Sequence, residues 1–123
     1  GRGYFVVGLV GVGQEPTDHA LKDIAAKAAE LEQWGRSIIL LFPDETAYAK
    51  YAASPAASLP QTVTFGIDRD GSVRRRILEA MQLPGNVSLP VFLIGDTFNR
   101  VVFESHGYTI GLGDRLLHTI HQL

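Results

Sequence analysis

Three features of the sequence predict an α/β fold with three layers and a mixed five-stranded sheet. First, continuous apolar runs occur at Tyr4 to Val12, Ser37 to Phe42 and Val87 to Gly95. Runs of this length, rich in β-branched residues and too short for a membrane span, read as strands buried on both faces. Second, a helix-period segment with short joints lies between the first two of these runs, which implies parallel strands linked by a right-handed crossover. Third, the turn Asp96-Thr97-Phe98-Asn99 is too short for a crossover, so the two strands around it pair antiparallel. The expected architecture is a parallel core plus a C-terminal antiparallel hairpin, flanked by about four helices.

The first strand breaks at Gly13-Gln14-Glu15, and a helix is expected from about Pro16 to Trp34. Pro16 suits a first helical position, and Asp18 complements the positive end of the helix dipole. Leu21, Ile24, Ala25, Ala28 and Leu31 recur at three- and four-residue steps as the buried stripe, and Gly35 stops the helix as a left-handed cap. Pro43-Asp44-Glu45-Thr46 closes the second strand and opens a helix from Glu45 to Ala53. After the small-residue loop Ser54 to Pro60, Thr62 to Ile67 reads as a shorter strand nearer an edge. A third helix is expected from Val73 to Leu83, capped by Ser72, with Val73, Ile77, Ala80 and Met81 as its apolar stripe. The strand Val87 to Gly95 has Pro90 at its entrance. Arg100 to Ser105 follows as a strand, and a last helix from Gly113 or Asp114 buries Leu116, Leu117 and Ile120.

The 123 residues suffice for one domain, with 46% hydrophobic and 20% charged residues. A net charge of -2 gives no general attraction to nucleic acid or anionic membrane, and Arg74-Arg75-Arg76 reads as solvated surface. There is no cysteine, so no disulfide, thiolate metal site or cysteine nucleophile can form. The start Gly1-Arg2-Gly3, without methionine, suggests a domain processed from or cut out of a longer chain.

Several motifs invite chemistry. Gly11-x-Gly13 falls between strand and helix, but Pro16 stands where a dinucleotide fingerprint needs glycine or alanine, and Asp44 comes too late for ribose. Glu15, Asp18 and His19 crowd one turn, with His106 before the final helix, as a metal or acid–base site would require. The simpler reading is that Glu15 and Asp18 serve the helix dipole while His19 is exposed. His118 and His121, three apart on the last helix, lack an evident third ligand. No Gly-x-Ser-x-Gly elbow supports a serine hydrolase. Asn86-Val87-Ser88 fits a glycosylation sequon. Trp34 reads as core or as a lid on its helix, and Phe98 and Tyr108 as exposed aromatics able to anchor a partner.

The element order, with proline opening the fourth strand, resembles the thioredoxin fold, in the longer form of envelope thiol-disulfide reductases and peroxiredoxins. The carrying residues are Ser88-Leu89-Pro90-Val91-Phe92-Leu93-Ile94-Gly95-Asp96, then Val101-Val102-Phe103 and Gly107, matching a cis-proline strand, a hairpin and the glycine before the last helix. The resemblance implies a cis Leu89–Pro90 bond. It also implies a Cys-x-x-Cys at the first helix start, where this chain has Glu15-Pro16-Thr17-Asp18 instead. Carboxylates cannot exchange with a disulfide, so thiol-disulfide and peroxidase chemistry are excluded.

The chain is also similar, in general terms, to C-terminal domains of long bacterial proteins with a transglutaminase-like domain upstream. The expected role is a redox-inactive binding or accessory domain of an extracytoplasmic bacterial protein. Its binding groove would use Glu15, Pro16, Thr17, Asp18, Ser88, Leu89 and Pro90. The expected partner is a peptide, another protein or other domains of the same chain, with no cofactor, nucleic acid or membrane insertion. The alternatives are a cysteine-independent enzyme using Glu15, Asp18, His19 and His106, a nucleotide binder, or a structural spacer.

Overall fold

The computed structural model describes residues 3–53, 58–98, 100–107 and 109–123. The expectations placed on Ser54 to Ala57, Asn99 and Tyr108 lie outside the described residues. The order is β1 (Phe5–Leu9), α1 (Glu15–Ala26), α2 (Ala28–Trp34), β2 (Ile38–Phe42), α3 (Glu45–Ala53), β3 (Val63–Ile67), α4 (Ser72–Ala80), β4 (Val91–Gly95), β5 (Val101–His106) and α5 (Leu112–Ile120).

The five strands lie in the order β3-β2-β1-β4-β5. β1 pairs parallel with β2 and β2 with β3, whereas β4 runs antiparallel to both β1 and β5. The first strand is central, as its two-sided apolar run demands, but it has one parallel and one antiparallel neighbour. In β1, Val6 faces one side of the sheet and Val7 the other. The side carrying Val6 holds the larger core, which includes Ile24 of α1, Leu31 of α2 and Leu116 of α5, with Tyr48 and Tyr51 of α3 packed against it. Trp34 is half-buried on the same side, in keeping with a core role. The side carrying Val7 has the smaller core, built with Leu78 and Met81 from the α4 region.

The long first helix is two helices. Lys27 leaves helical geometry, and its N–H bonds to Ile24 O at 3.0 Å. The cause lies across the chain. The Asp23 carbonyl, the acceptor Lys27 would use in an unbroken α-helix, is pressed against Gly113, where a Cβ would sit only 2.4 Å away. Lys27 Nζ in turn pairs with Asp114 at 3.1 Å, and Asp23 Oδ2 accepts from Leu112 N at 3.1 Å. α5 thus docks onto the last turn of α1, and the helix breaks there. Ala20 and Thr17 join Leu21 and Ile24 on the buried stripe, while Ala25 and Ala28 are only half-buried. Gly35 closes α2 in the left-handed conformation.

α4 also departs from expectation. Its cap is not Ser72: Asp68 reaches forward to accept from Val73 N at 3.1 Å and Arg74 N at 2.9 Å, and Asp70 accepts from Ser72 N at 3.0 Å. The helix ends at Ala80, short of Leu83, because Gln82 turns left-handed and Leu83 N bonds back to Leu78 O. Leu78, absent from the expected stripe, is the buried residue, while Val73 is 39% exposed and Ala80 is exposed.

Candidate functional site

The register Leu9↔Val91 brings the carboxyl end of β1 beside the amino end of β4. The turn into α1 and the segment Ser88 to Pro90 therefore leave the sheet at the same end. The turn is held from within. Gly11 N donates to the Thr17 hydroxyl at 3.0 Å, and Gln14 N donates to Gly11 O at 3.2 Å. Gly13 takes φ +81, a conformation only glycine adopts freely. Glu15 begins the helix, with Pro16 in its first turn and Asp18 beside it, both carboxylates exposed near the positive end of the dipole.

The groove residues named from the sequence divide in two. Thr17 is 2% exposed and its hydroxyl is taken by Gly11, so it shapes the turn and presents no surface. Glu15, Asp18 and Ser88 are exposed, Pro16 and Leu89 half-buried, and Pro90 buried. The Leu89–Pro90 peptide is cis. Pro90 O accepts from Gly107 N at 2.9 Å, tying this entrance to the end of β5. β4 starts at Val91, later than the apolar run suggests, and among the described residues no backbone hydrogen bond involves Ser88 or Leu89.

Leu89 also walls a cavity of about 260 Å³ with Leu9, Val10, Leu41 and Phe42, rimmed by Asp68, Arg69 and Arg74. Its polar rim is already engaged. Asp68 caps α4, Arg69 pairs with Glu45, and Arg74 Nη2 donates to Gly85 O at 2.7 Å. What remains is an apolar recess beside unpaired backbone. Sequence reading misses the capping role of Asp68, although Asp68-Arg69-Asp70-Gly71 before a helix is itself a capping signal, and Arg74, read as solvated surface, is tied to Gly85 O.

Among the described residues no hydrogen bond or ion pair joins Glu15, Asp18 and His106. His19 Nε2 lies 3.4 Å from Asp23 Oδ2, one turn further along α1, and the ring is half-buried rather than exposed. His106 is opposite Val91, at the right end of the sheet but two strands from β1. Among the described residues no three His, Asp or Glu side chains are placed to hold a metal ion. His118 is exposed and meets Gln122 at 3.3 Å, and His121 is exposed. Phe98 is 74% exposed, with the Arg100 guanidinium 5.7 Å from its ring centre.

No protein-family model matches the chain, and no curated relative matches it. Solved structures do. A structure assigned as the thiol:disulfide interchange protein DsbE of Chlorobium tepidum superposes with a TM-score of 0.69 at 17% identity, over 98% of this chain and 79% of that one. The bacterioferritin comigratory protein of Xanthomonas campestris, described as reducing alkyl peroxides, gives 0.68 at 13% identity over 98% and 80%. The exposed lipoprotein thioredoxin Etrx1 of Streptococcus pneumoniae gives 0.67 at 15% identity over 99% and 86%.

Layer order, strand order and these superpositions define the class: the chain has a thioredoxin-like fold. Within that class it is a variant with no cysteine, so the Cys-x-x-Cys motif is absent and Glu15-Pro16-Thr17-Asp18 occupies the helix start. These three structures lend nothing to the transglutaminase-linked arrangement. No helix among the described residues is long and apolar enough to cross a membrane.

Proposed function

We propose that this domain is a redox-inactive binding module that holds an extended peptide or chain segment along Ser88 and Leu89. The observation that carries the proposal is the pair of residues with unpaired backbone beside the 260 Å³ apolar recess. Backbone N–H and C=O groups without partners are satisfied by water or by an added strand, and strand addition gains specificity from a pocket for an alternate side chain. A peptide paired to Leu89 would place an apolar side chain in the recess, over Leu9 and Leu41. Glu15 and Asp18, exposed at the helix start, would favour a basic flank on that peptide. A disulfide substrate would meet no sulfur here.

The reading extends to context. The domain would serve as an accessory part of a longer bacterial protein outside the cytoplasm, in keeping with a structural neighbour described as an exposed lipoprotein. Amide chemical-shift mapping against an array-selected peptide tests the groove. Shifts centred on Ser88, Leu89 and Glu15, weakened about tenfold by Leu89→Glu, are expected. A footprint elsewhere on the domain would sink the proposal. Insulin reduction with added thiol should stay at background, and clear turnover would overturn the redox-inactive assignment.

A further inference from the structure

The face of the sheet that carries Val7 is covered less completely than the other, for a geometric reason. α4 has nine residues and is about 14 Å long. Five strands span about 19 Å between their outer axes. One short helix and the segment after it, with Met81, Leu83, Val87 and Leu89, leave part of that face open, and a cleft of about 460 Å³ lies between α4 and the sheet. Its floor is Phe5, Val7, Ile39 and Leu93. Its wall is one stripe of α4, Val73, Ile77 and Ala80, at the spacing that shares a helix face. This is the stripe whose periodicity predicts core. Val73 in that stripe stays 39% exposed.

The charged groups of the cleft are unevenly engaged. Asp96 is 4% exposed, and both its oxygens are used: Oδ1 accepts from Phe98 N and Arg100 N, and Oδ2 accepts from Arg100 Nε at 2.8 Å. The guanidinium of Arg76, on the same α4 stripe, has no hydrogen-bond or ion-pair partner among the described residues, and the terminal amino groups of the ion-paired Arg100 donate no hydrogen bond there. Arg100 is already ion-paired with Asp96 and lies against Phe98. The uncommitted positive charge of this apolar slot is therefore Arg76, with the Arg100 amino groups as further donors, a set that complements an anion with an apolar tail. Its volume is in the range of small-molecule pockets, and its concave form suits a chain better than a flat protein surface. It lies toward the Phe5↔Gly95 end of the sheet, opposite the end where Ser88 and Leu89 leave it.

We infer that this cleft binds a free, single-chain aliphatic carboxylate, with its head at Arg76 and Arg100 and its tail over Val7 and Ile39. The inference does not depend on the peptide groove.

Decanoate, held below its micelle-forming concentration, is the probe for methyl-detected titration of the whole chain. Saturable one-to-one shifts at Val7, Ile39, Ile77 and Leu93 are expected. Arg76→Glu should weaken decanoate about tenfold or more while leaving decanol, which lacks the charge, within about twofold. Ala80→Phe, at an exposed helical position, should fill the slot and abolish both. Three outcomes would overturn the inference: no saturable shift, equal binding of decanol and decanoate with no effect of Arg76→Glu, or concentration-dependent self-association that covers the same methyls without ligand.

Discussion

At the scale of single residues, polar side chains hold the bends of this fold from inside. Thr17 and Asp68 each bridge a turn to a helix start with buried or half-buried bonds. Asp96 does so in the β4–β5 turn. Burial pushes its carboxyl upward, but bonds from Arg100 N, Phe98 N and the Arg100 guanidinium outweigh burial and hold it below its ordinary value of 3.8. A carboxylate whose folded pKa is depressed contributes stability above the unfolded value and loses it as pH falls through the folded one. Stability compared with Asp96→Asn should therefore show a wild-type advantage above pH 3.8 that fades below it. Denaturant midpoints taken across that window check this, and a pH-independent gap would refute it. These roles were half legible. Asp68 and Asp96 stand in turn-rich stretches, but which N–H each would reach depends on how the turn closes.

At the scale of elements, the instructive case is the break at Lys27. Ala25-Ala26-Lys27-Ala28-Ala29 is a run of good helix formers, and nothing local ends a helix there. Close docking of α5 through Gly113 does. Gly113→Ala tests this, because the two effects oppose. Helix propensity favours alanine by about 1 kcal/mol, whereas a Cβ 2.4 Å from the Asp23 carbonyl must force the helices apart. Overpacking against backbone wins, and we expect a net loss of about 1–3 kcal/mol in chemical denaturation. A stabilised variant would show that the docking is looser than described. By contrast, α3 from Glu45 to Ala53 and the Gly35 stop follow local signals and came out as read.

At the scale of the whole molecule, the two sides of the sheet are unequal. Helices α1, α2, α3 and α5 share the larger core, while α4 and the segment after it, with Met81, Leu83, Val87 and Leu89, cover the other side. Truncation should expose the difference. Leu116→Ala, at a fully buried position of the larger core, should cost about 2–5 kcal/mol. Ile77→Ala, at the cleft wall, should cost less than about 1.5 kcal/mol, since part of that surface is already wet. Similar losses at both sites would mean that the α4 face is as closed as the other. The same asymmetry separates the proposed peptide groove from the proposed carboxylate cleft, at opposite ends of the sheet.

The sequence by itself determined the layer architecture, the central place of β1, the hairpin of β4 and β5, and the exclusion of thiol chemistry. Each follows from period, connection length or the presence of an atom, and those are properties of the chain alone. Only the tertiary structure decided that Thr17 turns inward, that His19 pairs with Asp23, and that α1 stops at Ala26. It also decided that the apolar stripe of α4 lines an open cleft. Those outcomes depend on where distant segments come to rest: Gly113 against Asp23, Gly11 against Thr17, and one short helix across five strands. Periodicity says which face of an element is apolar, and packing decides whether anything covers it.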